Sequence, residues 1–278
     1  MKRGISKNTL TQGLIDYVDI LQMSGLCDVS LTVPEELRQL PVVQNNSEQV
    51  QQEETNMAKR TEQTSPAGQI ANNKTNDFGL DLLAEDRAET LQQLAAKVSR
   101  CKKCSELVDN RTQTVFGVGN PFAELVFLGE APGADEDQQG VPFVGRAGKL
   151  LTDMIEKGMQ LKRDDVYICN ILRCRPPGNR NPSFEEAVQC RPFLDATLQV
   201  IRPKFICCLG AVAATNLLNS QEAIGKMRGR IHDYKGIKVV CTYHPAYLLR
   251  NPSAKTATWD DLKLLMREMN LPIPKKGG

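Results

Sequence analysis

The sequence predicts an α/β fold of three layers, α/β/α, around a central four-stranded, mostly parallel sheet. Three observations predict it. Four short apolar runs, at 124–129, 165–171, 204–210 and 238–242, have the composition of buried strands. Helical patterns at about 146–157, 183–200 and 211–218 separate them, and another at about 255–269 closes the domain. The first strand also runs into a turn punctuated by glycine and proline, Gly129 to Gly133, followed by a helix start. Open α/β sheets hold their ligand crevice at such strand ends.

Upstream of the sheet, residues 8–26 read as a helix with Leu10, Leu14, Tyr17, Val18 and Leu21 on one face, ending near Gly25. It either docks on a protein partner or packs loosely on the main domain. From Pro34 to Asn76 there is no aromatic residue, and Gln, Asn, Glu, Ser and Thr dominate. Such a stretch cannot bury enough apolar surface to offset its ordering entropy, so a disordered linker is expected. A helix at 86–100, with Leu91, Leu94, Ala95 and Val98 as its apolar face, leads into Cys101-Lys-Lys-Cys104. The predicted organisation is a helical extension (1–33), a linker (34–80), one globular domain (81–270) and a tail (271–278). The formal charge of +2 announces no bulk field for nucleic acid or membrane. The basic N-terminus lacks the apolar core of a signal peptide, and the longest apolar run, 205–214, is too short to span a bilayer. A cytoplasmic protein, without membrane partner and monomeric, is expected.

Chemistry concentrates in four places. The turn after the first strand carries Glu130, then Asp135, Glu136 and Asp137, with Phe143 before the next helix. Nine cysteines without an export signal argue against a disulfide framework. Cys169, Cys207, Cys208 and Cys241 lie inside strand runs as small apolar side chains, whereas Cys101, Cys104, Cys174 and Cys190 lie in loops. Those four suffice for a tetrahedral zinc or an iron–sulfur cluster, or are unrelated reduced thiols. Asn170 ends the second strand, where an amide can read a flat ligand edge or simply cap a turn. Arg173, Arg175 and Arg180 follow it, and Lys226, Arg228 and Arg230 form a second basic cluster; both suit phosphates or a solvated face. His244 follows the last strand, and Leu248 and Leu249 beside Arg250 are either a wedge for a base stack or the first turn of a packed helix.

Taken together, GEAPG, PFVGRAG, the Asn170 stretch running into CRPPGNR, HPAYLLRNP and the four spaced cysteines resemble the family 4 uracil-DNA glycosylases over residues 86–269. Related sequences also resemble a segment of a phage DNA polymerase. The resemblance implies the uracil-DNA glycosylase fold and hydrolysis of the N-glycosidic bond of uracil in single- or double-stranded DNA, with the base extruded into a pocket. It implies that Gly129, Ala131, Gly133 and Phe143 line that pocket, with Phe143 stacked on the base. Asn170 then pairs with N3–H and O4, Glu136 sits near C5 where it excludes the methyl of thymine, and His244 hydrogen-bonds O2. Glu130 would orient the attacking water, with Glu136 as the alternative. The family 1 enzymes carry an aspartate for this purpose where Ala131 stands here. Arg175, Arg180, Arg228, Leu248, Leu249 and Arg250 are implied DNA contacts, and Cys101, Cys104, Cys174 and Cys190 the ligands of a 4Fe–4S cluster. A branch that becomes trapped on DNA differs after the GE pair and carries a basic insertion before its histidine. Neither feature is present, which implies ordinary turnover. Two other functions are compatible with parts of the sequence: a non-catalytic DNA-binding module linked to a polymerase, and a zinc-containing nucleotide hydrolase.

Overall fold

The computed structural model describes residues 86–274. The predicted helix at 8–26, the linker at 34–80, Cys27 and residues 275–278 lie outside the described residues. In chain order the elements are α1 (Arg87–Ser99), α2 (Ser105–Asn110), β1 (Val118–Gly119), β2 (Leu125–Gly129), α3 (Ala134–Gln139), α4 (Arg146–Asp153), β3 (Tyr167–Asn170), α5 (Phe184–Ile201), β4 (Phe205–Leu209), α6 (Ala211–Leu218), α7 (Ile224–Met227), β5 (Ile231–Tyr234), β6 (Ile237–Thr242), α8 (Pro245–Arg250) and α9 (Ala254–Glu268).

The sheet order is β1-β3-β2-β4-β6-β5. Its four central strands are parallel, in the register Gly129↔Asn170, Val126↔Ile206 and Cys208↔Cys241. β2 and β4 are buried at every position, which is why they read as continuous apolar runs rather than as an alternation. The alternation is present in the packing. Val126, Leu128, Ile206 and Cys208 join α5 and α6 on one face. Leu125, Phe127, Phe205 and Cys207 join Leu151 of α4 and Leu262 and Leu265 of α9 on the other. The neighbouring cysteines 207 and 208 therefore serve opposite layers. All four strand cysteines are buried, as expected from their position.

Among the described residues the sheet has six strands rather than four. The two additional strands are antiparallel edges, β1 on β3 and β5 on β6. β1 is two residues long, too short to show a period. β5 reads Ile-His-Asp-Tyr, and its two polar residues hide it as an edge strand facing solvent. Its hairpin turn is Lys235-Gly236, both in the left-handed region at φ 52° and 84°, the geometry of a two-residue hairpin. Capping sets the helix starts: Asp86 accepts from the Glu89 N–H, and Ser183 and Glu186 form a reciprocal capping box on α5. The acidic turn is also more ordered than predicted, since Ala134 to Gln139 is helical.

Candidate active site

Because the central strands are parallel, their C-terminal ends lie along one edge of the sheet. Gly129 ends β2, Asn170 ends β3, Gly210 follows β4 and His244 follows β6 by two residues. These are the positions where such a sheet opens a crevice.

Gly129 is glycine for want of space. A Cβ there would stand 2.3 Å from Asn170 Oδ1 and 2.6 Å from Phe143 Cζ. The three residues thus converge on one slot. Phe143 is held in the left-handed region, φ 56°, which a bulky side chain adopts only under constraint. Three constraints are visible. Arg163 donates to the carbonyls of Pro142 and Phe143, at 3.0 and 3.1 Å. Glu136 accepts from the N–H groups of Val144 and Gly145 with one oxygen and of Gly133 with the other. Gly148 lets α4 approach so closely that a Cβ would meet the Phe143 carbonyl oxygen at 1.9 Å. Asp137 is also structural: buried, it accepts from the Thr112 N–H with both oxygens. Of the acids on the predicted acidic turn, Glu136 therefore anchors the loop that carries Phe143, and Asp137 ties α3 to the segment after α2.

Asn170 is 2 % exposed, and its Oδ1 has no partner among the described residues. A buried amide oxygen without a donor costs about 1–3 kcal/mol, and this one is open to a donor that enters the slot beside the Phe143 ring. His244 closes the slot, its ring 5.6 Å from that of Phe143 and tilted by 33°. Its Nδ1 accepts from the Ala246 N–H at 3.1 Å, which leaves Nε2 to carry the proton. Burial, and secondly the charge of Arg250, push the imidazole down to about 4, so the ring is neutral at physiological pH. Glu130, half-buried on the turn after β2, has its carboxyl pushed above the usual range by burial.

A second cavity lies behind Asn170. Cys101, Cys104, Cys174 and Cys190 all line it, although Cys190 lies within α5 rather than in a loop as expected. Arg111 donates to Cys174 Sγ at 2.9 Å and to the Cys101 carbonyl at 2.8 Å. Burial raises all three of Cys104, Cys174 and Cys190, the last to about 12, and the other cysteines of the set add to the rise. The thiols share one cavity, yet among the described residues no group of three or more His, Cys, Asp or Glu is drawn together around a position for a metal ion. Arg173 joins the two cavities. It is 1 % exposed and donates from Nη1 to the Asn170 carbonyl at 2.9 Å and from Nη2 to Thr197.

Residues 116–263 match the family model described as the uracil DNA glycosylase superfamily. Over 183 residues the chain is 43 % identical to the type-4 uracil-DNA glycosylase of Archaeoglobus fulgidus, covering 63 % of this chain and 91 % of that one. The chain belongs to the type-4 uracil-DNA glycosylases. The type-4 enzyme of Thermotoga maritima is 45 % identical over 169 residues, 60 % of this chain and 87 % of its own. A DNA polymerase of Bacillus phage SP01 is 29 % identical over 160 residues, 57 % of this chain and 17 % of the polymerase.

In this glycosylase the basic residues expected at DNA divide into two groups. Arg173 is buried and cannot meet a phosphate, contrary to expectation. Arg180 is held by Glu186 at 2.7 and 2.9 Å and by Glu106 at 2.8 Å, which ties α2 to α5. Arg228 donates to Asp261 and to the Ala257 carbonyl, and Arg230 to Glu222. Arg175, bonded to the neutral amide of Asn179, retains an uncompensated charge, and Lys226 and Arg250 are exposed. The leucine pair is also corrected. It lies on α8, where Leu248 is 1 % exposed and packs inward, while Leu249 is 36 % exposed. Leu248 is therefore no wedge. Ala131 and Gly133 lie on the turn between Glu130 and α3. Among the described residues no helix is long and apolar enough to cross a membrane. The sequence reading missed Arg163, whose loop carries no motif signal, and Gly148, which sits unremarked inside PFVGRAG.

Proposed function

We propose that this protein hydrolyses the N-glycosidic bond of uracil in DNA, releasing the base and leaving an abasic site for repair. The orphaned Asn170 Oδ1 carries the reading, since uracil N3–H is the donor it lacks. The extruded base stacks on Phe143. His244, neutral and donating through Nε2–H, meets O2, where negative charge grows as the bond breaks. That interaction is stronger in the transition state than in the ground state. Of the two glutamates, Glu130 is better suited to orient and polarise the attacking water. Its raised pKa makes it the stronger base, whereas both oxygens of Glu136 already accept backbone N–H groups. Glu136 shapes the slot by holding the loop. A gel assay tests the function: uracil-containing single-stranded DNA is incubated with the protein, then treated with alkali. Strand breakage confined to the uracil position is expected, and an intact strand would overturn the reading.

Cys101, Cys104, Cys174 and Cys190 would hold a 4Fe–4S cluster. Their common cavity supports this, as do the cations Arg111 and Arg173 beside it, which offset the negative charge of thiolates. When bound, the cluster would tie the segment before β1 to the loop after β3 and to α5, and hydrolysis needs no electron from it.

Three expectations follow from the site. First, kcat/KM should fall on the acid side through a pKa above the ordinary Glu value of about 4.3, because Glu130 must be ionised. His244 contributes nothing to that limb until about pH 4, where it begins to charge. Glu130→Gln should abolish the limb along with most turnover; a profile flat down to pH 4 would remove Glu130 from the role. Second, Gly129→Ala should leave a folded protein destabilised by about 1–3 kcal/mol through overpacking. Its uracil excision should fall more than about tenfold, because the methyl fills the slot between Phe143 and Asn170. A thermal melt and a single-turnover assay separate the two effects. Third, the salt dependence of binding should be modest. With Arg175, Lys226 and Arg250 as contacts, log K against log salt on single strands should have a slope of about −2, read from a titration.

A further inference from the structure

The His244 segment carries an aromatic pair that the pocket does not use. Tyr243 and Tyr247 stack, centroids 5.1 Å apart and planes 29° from parallel. The guanidinium of Arg228 lies over Tyr243, 5.2 Å from its centroid. That guanidinium is itself fixed by Asp261, whose side chain is fully buried and also accepts from Thr242 and the Gly229 N–H. The result is a ladder, Asp261–Arg228–Tyr243–Tyr247, built outward from α9. Its last rung, Tyr247, is 40 % exposed. The same turn of α8 that begins at His244 carries it, since the Tyr247 N–H donates to the His244 carbonyl at 2.9 Å.

We infer that Tyr247 is the stacking platform for the DNA base next to the extruded uracil. The inference rests on the reading of the pocket above. A nucleotide whose base meets His244 must bring its neighbour along the strand to the outer surface of the same turn. What waits there is a ring already immobilised on one face by another ring, so little side-chain entropy is lost on contact. Exposed Leu249 and Arg250 flank it, with apolar surface for a base edge and a charge for the phosphate. A nucleobase fits this surface because every base has a π face, and stacking on an aromatic side chain is tolerant of sequence. It also gives Arg228 a defined task, as a support for the ladder rather than a phosphate contact.

The test is a binding cycle on the full chain. Single-stranded oligonucleotides carry a 2′-fluoroarabino uracil nucleotide that resists cleavage. The flanking base on the 5′ or the 3′ side is either present or replaced by an abasic spacer. The wild-type protein should bind about tenfold more weakly when the base is missing on one of the two sides, the loss of a single base–aromatic stack. Tyr247→Leu should bind both oligonucleotides at the weaker level, while Tyr247→Phe should retain the difference. With cleavable substrate the effect of Tyr247→Leu should fall on KM far more than on kcat. Equal losses for wild type and Tyr247→Leu on both sides would overturn the platform, provided that the wild type excises uracil. A wild type that excises nothing would overturn the reading of the pocket, and the platform with it.

Discussion

Asn170→Asp is expected to lower uracil excision by at least about a hundredfold, measured under single-turnover conditions on a uracil oligonucleotide. The amide offers a donor and an acceptor side by side, matching O4 and N3–H of uracil. The carboxylate offers two acceptors, so O4 meets a lone pair. Leaving a buried polar group unpaired costs about 1–3 kcal/mol, and two such groups are affected. The position is 2 % exposed, so desolvation also raises the new carboxyl's pKa. Protonation restores a donor. The variant's residual activity should therefore rise as pH falls, opposite in sign to the acid limb of the wild type. Cytosine, with its amino group and acceptor N3, becomes a better partner for the protonated acid, and a trace of cytosine excision is expected. If the folded variant removes uracil at the wild-type rate, Asn170 does not read the base.

Cys174→Ala should have the largest effect on stability. Anaerobically purified wild type is expected to contain iron and sulfide, by metal analysis, and to lose both on this change. The substituted thiol accepts from Arg111, and its neighbour Arg173 is buried beside Cys190. Removing the cluster would leave the buried Arg173 and the half-buried Arg111 without their counter-charge, a destabilisation of about 3–5 kcal/mol on the scale of broken buried ion pairs. Metal binding free energy is folding free energy as well. The thermal midpoint should fall steeply, and base excision should fall with it because Arg173 donates to the Asn170 carbonyl. Stoichiometric zinc without iron in the wild type would overturn the cluster assignment. A variant that melts like the wild type would overturn its structural role.

Much of the sheet was legible because buried parallel strands leave a plain mark: β2 and β4 are apolar at every position and lie between helical patterns. The edges were not, since two residues at Val118–Gly119 hold no period and His232 and Asp233 interrupt β5. Of the site, the residues at strand ends were legible from position and motif together. What the sequence could not convey was which charged side chain faces inward. Arg173, Arg175 and Arg180 are alike on paper, and long-range partners separate them: Thr197 for the first, Glu106 for the last. Glu136 illustrates the same limit, because its three backbone donors come from a loop whose path only the fold determines. The Leu248–Leu249 pair shows a third form of it. One residue of helical rotation decides which leucine is core and which is surface, and the short stretch after Pro245 does not reveal the phase.

The parallel order of the sheet has a consequence for the timing of synthesis. Gly129, Phe143 and Asn170 are translated well before His244, which arrives only after β6 has been made and paired with β4. A nascent chain that has emerged as far as β4 contains Gly129, Phe143 and Asn170 and no imidazole. Long-range strand pairing is also the slow part of folding for such topologies. The proposed pocket is therefore completed late, by the last strand of the parallel set and the turn that follows it.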